Sequence, residues 1–153
     1  MSWQLFIIGL GLVGIAYLYN KNVKDIKEEL VIAGIISFIW VLLSGIYSYS
    51  DANYSIFAFN FFPFIAWTTG LVALREIYEM LAKKYRFVIA VIIYTVGIIA
   101  LEYVGYNILK IQLATNYAGL FGYPLMHMPW WAQLYYLAIG PMYLAITDAL
   151  GVK

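Results

Sequence analysis

The 153-residue sequence contains no cysteine and only one histidine, His127. The absence of cysteine excludes disulfides, iron–sulfur clusters, thiolate metal sites and cysteine nucleophiles. A single histidine excludes a bis-histidine haem and any metal site built from several imidazoles. No other motif indicates a cofactor, so we expect none.

Charged residues are also scarce. They make up 11% of the chain, whereas an average soluble domain has about 25%. The net charge is +1, and acids and bases are mixed within the same short segments. Nucleic-acid binding requires clustered lysine and arginine side chains that neutralise phosphates, and the sequence has no such cluster, so we do not expect it.

Apolar residues, in contrast, account for 65% of the chain, and the mean hydropathy is +0.84. A water-soluble fold of this size leaves a large part of its surface exposed, and its interior is too small to bury so many apolar side chains. The sequence therefore predicts an all-α integral membrane protein whose main contact is the lipid bilayer. We expect one polytopic domain, residues 1–153, in the cell membrane.

Five apolar runs are long enough to cross a bilayer, which requires roughly 20 residues per helix. Polar or charged stretches separate these runs. The predicted spans are residues 3–19, 30–49, 56–74, 87–109 and 130–150. The first run has no basic segment before it and no small-residue cleavage pattern after it, so we interpret it as a retained helix and not as a secretory signal.

The distribution of lysine and arginine predicts the orientation, because bases near helix ends are retained on the cytoplasmic side. Lys110 falls on one side of the predicted bundle. The other basic residues all fall on the opposite side, namely Lys21, Lys24, Lys27, Arg75, Lys83, Lys84, Arg86 and Lys153. With an odd number of spans, this places the N-terminus outside and the C-terminus in the cytoplasm.

Gly9, Gly11 and Gly14 have the spacing of a dinucleotide-binding loop, but they lie inside an apolar span. That motif functions only between a strand and a helix of an aqueous fold. We interpret the glycines as small residues that let another helix approach closely, with Gly11 and Gly14 near one face. The N-x-S triplet at Asn53 is interpreted as a chance occurrence.

Glu102 is the strongest functional indication, because it lies inside the fourth span, roughly 10 Å from the outer end. A carboxylate at that depth is costly unless it is paired, hydrated or protonated, and such residues often mark a site. Tyr106 lies one turn further along the same face, and Asn107 shares the adjacent face with Tyr103. We predict Glu102 as a catalytic acid, and Tyr106 and Asn107 as binding residues.

Asn60 and Trp67 on the third span are the predicted partners of Glu102. Asn60 is expected about four residues inside the span, at a depth similar to that of Glu102, and Trp67 lies two turns deeper on the same face. If the third and fourth spans pack together, a carboxyl group, an amide and an indole meet in the outer half of the bundle.

Residues 110–129 contain two glycines and two prolines and are too broken for a further span. We expect an interfacial or re-entrant segment, formed by a short amphipathic helix and a turn over the bundle. It contributes His127 as a second catalytic candidate and Asn116 as a binding candidate. Trp130 begins the fifth span, where it is expected either to anchor the helix at the interface or to contribute a ring to a binding site.

The residues leave several functions open. The first is a subunit whose helices pack against, bind or assemble with a membrane-protein partner or a second copy of the chain. The alternative is an intramembrane enzyme or binding protein for a lipid or isoprenoid that uses Glu102. A protonated Glu102 hydrogen-bonded to tyrosine or asparagine, which locks helix packing, is the structural interpretation of the same residue. An oligomeric transporter ranks third, because the polar residues do not continue along a helix face through the bilayer.

Overall fold

The computed structural model describes residues 2–20, 25–50, 54–57, 59–123 and 125–152. Helices dominate it, as predicted, and the helices are α1 (Trp3–Asn20), α2 (Ile26–Ser44), α3 (Phe61–Met80), α4 (Arg86–Tyr103) and α5 (Trp130–Ala149). Strands β1 (Ser55–Ile56) and β2 (Phe59–Asn60) form a short antiparallel hairpin between α2 and α3. A π-helical turn, Val104–Ile108, continues α4, and a 3-10 turn, Leu120–Gly122, precedes α5.

The second and third helices are displaced from the predicted spans 30–49 and 56–74. Helix α2 takes in the charged residues before its apolar run, because Glu28 and Glu29 in its first turn suit the positive end of the helix dipole. It ends at Gly45, which adopts the left-handed conformation, with φ 61°, that closes many helices. Helix α3 begins only after the β1–β2 hairpin, where the Asn60 side chain caps its first turn.

Helix α3 lies at the centre of the bundle and contacts each of the other four helices. Helix α1 packs mainly against it. A Cβ atom added at Gly11 would lie 2.9 Å from Thr69 Oγ1, whereas one added at Gly9 or Gly14 would meet nothing within 4 Å. The close helix approach predicted at the glycines is therefore found at Gly11, and among the described residues it is not found at Gly14.

Within the described residues, two helical segments, Trp3–Asn20 and Arg86–Ile108, are long and apolar enough to cross a membrane, so five spans are not confirmed. Helix α1 has one buried residue, Gln4, and α4 likewise has only Ala90. Most of their other side chains are apolar and at least partly exposed, which supports a membrane association.

Helices α2, α3 and α5 each carry charged residues near one end and hydrogen-bonding aromatic rings inside the bundle. Lys27, Arg75 and Asp148 are examples of those charges. Lys21, Lys24, Lys153 and Asn53, which entered the predictions above, lie outside the described residues.

The segment between α4 and α5 differs from the expected amphipathic helix. Its described residues contain only the 3-10 turn Leu120–Gly122, because glycine and proline interrupt any helical stripe. Leu113 forms an antiparallel bridge with Tyr49, and the amide of Ser50 donates to the carbonyl of Gln112 at 2.9 Å. The segment therefore runs extended beside the loop that follows α2, at the end of the bundle where Asn60 lies, which we call the Asn60 end.

Candidate functional site

A hydrogen-bonded aromatic cluster fills the bundle at the Asn60 end. The hydroxyl of Tyr47 accepts from Nε1 of Trp40 at 2.5 Å and from Nε1 of Trp67 at 2.8 Å. It also shares a hydrogen bond of 3.0 Å with the hydroxyl of Tyr136. All four rings are buried, and Trp67 meets Tyr136 edge to face at 4.6 Å. We call Trp40, Tyr47, Trp67 and Tyr136 the Tyr47 cluster.

Asn60 fixes the loop that carries Tyr47 to the start of α3. Its Nδ2 donates to the carbonyl of Tyr47 at 3.0 Å, and its Oδ1 accepts from the amide of Phe62 at 3.0 Å. Asn60 therefore caps α3. The sequence had predicted it about four residues inside the third span. Because both polar atoms of its amide bind backbone groups, Asn60 acts as a support for the Tyr47 cluster.

Glu102 lies in the last turn of α4 and is partly buried. Its charge is close enough to Tyr47 and Tyr136 to interact electrostatically with both phenols. Within the described ranges, however, its carboxyl group makes neither a hydrogen bond nor an ion pair. The packing lock expected of a protonated Glu102 bonded to tyrosine or asparagine is therefore not found among these residues.

Tyr106 and His127, both predicted site residues, stack face to face. Their ring centroids lie 3.6 Å apart and their planes differ by 9°. Burial lowers the pKa of His127 below its ordinary value. His127 Nδ1 is buried and has no hydrogen-bond partner in the part of the chain that the structure describes. Tyr106 belongs to the π-helical turn, a feature often found at functional sites.

Three other predicted residues lie apart from these groups. Asn107 donates from Nδ2 to the carbonyl of Tyr103 on its own helix at 3.1 Å. Asn116 is exposed, and Trp130 is 72% exposed. The structure thus pairs Tyr106 with His127 and places Trp67 in the Tyr47 cluster, near which Glu102 lies. Asn107 bonds to its local backbone, and Asn116 and Trp130 are exposed.

A second polar cluster surrounds Arg75 near the other end of α3, which we call the Arg75 end. The Arg75 side chain is buried, and its Nη2 and Nη1 pair with Glu79 and Asp148 at 2.7 Å each. Nη1 also donates to Thr147 Oγ1 at 3.1 Å, and Nη2 donates to the carbonyl of Val152. One guanidinium group therefore binds α3, α5 and the residues that follow α5.

Glu29 brings α2 into the same network. Its Oε1 lies 3.9 Å from Arg75 Nε, while its Oε2 is buried without a hydrogen-bond partner among the described residues. Arg86 adds α4 through contacts of 3.3 Å to Glu79 and 3.7 Å to Asp148. This arrangement is that of a helix-joining network.

Sequence reasoning missed the Tyr47 cluster and the network around Arg75. The available signal for the first was a set of tyrosines and tryptophans inside apolar runs, since their polar tips require partners when buried. The signal for the second was Arg75 at the edge of a span, which was used above only to predict the orientation of the chain.

Among the described residues, no group of three or more histidine, cysteine, aspartate or glutamate side chains is arranged to hold a metal ion. No protein-family model, curated protein or solved structure matches the chain.

Proposed function

We propose that the chain is a multi-pass cell-membrane protein that binds a lipid or isoprenoid beside Glu102 and His127. One observation carries the proposal, namely that the Glu102 carboxyl and His127 Nδ1 both lack a protein hydrogen-bond partner within the described ranges. Unpaired polar groups in an apolar setting are costly. A ligand with a polar head group and an apolar body would satisfy them.

The surroundings favour an uncharged polar head group over a phosphate. No lysine or arginine of the described residues pairs with Glu102, and a carboxylate repels an anion. A hydroxyl or carbonyl group is able to bond with both a carboxyl group and an imidazole. The nearby aromatic rings of the Tyr47 cluster, Tyr106 and His127 suit an extended apolar body.

Catalysis by Glu102 is a second candidate, favoured by its unpaired carboxyl group. A general acid must be free to give its proton to the substrate, and an acid already bonded to the protein is less available for that transfer. Glu102 and His127 are the groups that would move a proton. Chemical change of the bound lipid, followed by mass spectrometry, separates catalysis from binding alone.

The same proposal includes five membrane-spanning helices, with the Asn60 end outside and the Arg75 end in the cytoplasm. Besides the two candidate spans α1 and α4, helices α2 and α5 also expose large apolar side chains, with Leu43 76% exposed and Leu134 60% exposed. The described basic residues Lys83, Lys84 and Arg86 lie at the Arg75 end, as expected of a cytoplasmic face.

Single-cysteine labelling tests this orientation, because the natural chain has no cysteine. We expect Thr115→Cys to react with a membrane-impermeant maleimide in intact cells. Lys84→Cys should react only after the cells are permeabilised, because it lies at the proposed cytoplasmic end. Both positions are exposed in the structure, so a difference in labelling reports the side of the membrane. The reverse pattern, or equal labelling of both in intact cells, would contradict the proposed topology.

Glu102→Gln tests the proposed ligand site. We expect wild-type protein purified in mild detergent to retain a lipid or isoprenoid in near-equimolar amount, and the variant to retain about tenfold less, because a neutral amide replaces the carboxyl group and forms a weaker hydrogen bond with the head group. Mass spectrometry of the extracted ligand provides the measurement. Asn107→Ala is the matched control, because its amide bonds to its own helix and its loss should leave retention unchanged.

Two results would contradict the binding function. One is wild-type protein that carries no molecule above the level of bulk lipid. The other is Glu102→Gln protein that keeps its ligand at the wild-type level. An empty protein that copurifies with an equimolar membrane partner would favour the packing or assembly subunit instead.

A further inference from the structure

His127 occupies the middle of a tight turn whose flanking side chains are anchored. Met126 and Met128 are 1% and 3% exposed, so both are buried. The amide of Met128 donates to the carbonyl of Met126 at 2.8 Å, which closes a three-residue turn around His127. Met126 has a φ of 51°, an unusual conformation for a residue other than glycine. Such a turn needs support from its surroundings.

Gln133 supplies that support from the first turns of α5. Its Nε2 donates to the carbonyls of Met126 at 3.2 Å and Met128 at 3.0 Å. The side chain is buried, at 9% exposed, and its backbone amide is fixed by a hydrogen bond of 3.1 Å to Pro129. One amide group on a rigid helix therefore binds both flanks of the histidine.

The other member of the stack is held in a similar way. Gln112 Nε2 donates to the carbonyl of Tyr106 at 3.2 Å, and the amide of Ile111 donates to the carbonyl of Gly105 at 2.8 Å. The extended segment thus fixes the π-helical turn as α5 fixes the histidine turn. The two rings meet because their backbones are held independently.

We infer that Gln133 is a positioning residue that holds the Met126–Met128 turn so that the His127 ring stacks on Tyr106, one turn along from Glu102. This inference rests on the proposed function, because it assigns His127 to the ligand site. The Gln133 side chain bonds to backbone carbonyls of the turn.

Gln133→Met tests the inference, because methionine has a similar length and no hydrogen-bond donor. His127 is the only histidine, so histidine ring labelling gives a single set of NMR signals. In the wild-type protein, the stacked Tyr106 ring should shift the His127 ring protons upfield. We expect Gln133→Met to abolish that shift and to lower ligand retention about tenfold, the scale of effect expected from a displaced site residue.

Tyr143→Phe is the matched control on the same helix. It loses one buried hydrogen bond, from its hydroxyl to the carbonyl of Glu29 at 3.4 Å, near the Arg75 end. We expect its His127 signals to stay at the wild-type position. A change of equal size in both variants would mean that any loss of stability moves the histidine, and would overturn the positioning role.

A measurement on the wild-type protein keeps the inference testable even if Gln133→Met does not fold. The Gln133 side-chain amide should exchange with deuterated solvent at least about tenfold more slowly than that of exposed Asn116. Equal exchange rates would overturn the inference. So would an unchanged His127 shift in folded Gln133→Met.

The NMR readout requires no ligand, so the two proposals fail separately. If Glu102→Gln keeps its ligand, the binding function fails, while the His127 shift still decides whether Gln133 positions the ring. If the shift is unchanged in Gln133→Met but Glu102→Gln loses its ligand, only the positioning role fails.

Discussion

Replacing Arg75 by methionine is expected to lower the free energy of unfolding by about 3–5 kcal/mol, the range found when one member of a buried ion pair is removed. Arg75 is 0% exposed and pairs with Glu79 and Asp148. Without it, the buried Glu29 has lost its nearest cation, and the carbonyl of Val152 has lost a donor. Unfolding in mixed micelles with increasing SDS, followed by tryptophan fluorescence, measures the loss.

Arg86→Met is the control for Arg75→Met, because it removes the same charge from the same network. Its side chain is 27% exposed and its contacts are longer, at 3.3 Å and 3.7 Å. Solvent screens such a pair, so we expect a loss of about 1 kcal/mol or less. Adding Glu29→Gln to Arg75→Met should restore part of the lost stability, since it removes the isolated carboxylate. Equal losses in Arg75→Met and Arg86→Met would contradict this account.

The apolar helices could be predicted from the sequence because each contains a long, nearly continuous run of apolar residues. Helices α1 and α5 begin at the predicted residues, Trp3 and Trp130, and α4 begins within one residue of its prediction. The charged ends of α2 and α3 could not be placed in the same way. Hydropathy treats Glu29 and Arg75 as the ends of apolar runs, whereas the fold buries them against each other.

In the candidate site, too, contacts within one helix could be predicted, whereas contacts between distant residues could not. Glu102 and Tyr106 were predicted together because helical spacing places them on one face. The stack on His127 required the fold of the segment before α5, and the Tyr47–Tyr136 hydrogen bond joins residues 89 positions apart. No local pattern specifies which of many tyrosines will find which partner, so the centre of the Tyr47 cluster emerged only from the three-dimensional structure.

Replacing Tyr47 by phenylalanine is the change at the Asn60 end with the largest expected effect. The ring remains, but the indole N–H groups of Trp40 and Trp67 lose their common acceptor, and the Tyr136 hydroxyl loses a hydrogen bond. Leaving a buried donor without a partner costs about 1–3 kcal/mol. We therefore expect the free energy of unfolding to fall by about 2–4 kcal/mol, measured in the same mixed-micelle experiment.

Tyr135→Phe separates the loss of this acceptor from the loss of any phenolic hydroxyl. The Tyr135 ring stacks on Trp40 with centroids 3.6 Å apart, and this contact survives the change to phenylalanine. We expect Tyr135→Phe to alter stability by no more than about 0.5 kcal/mol. If Tyr47→Phe costs no more than this control, the Tyr47 hydroxyl is not the centre of the cluster. Combining Tyr47→Phe with Trp67→Phe should cost less than the sum of the two changes, because the second removes a donor that the first has already left unpaired.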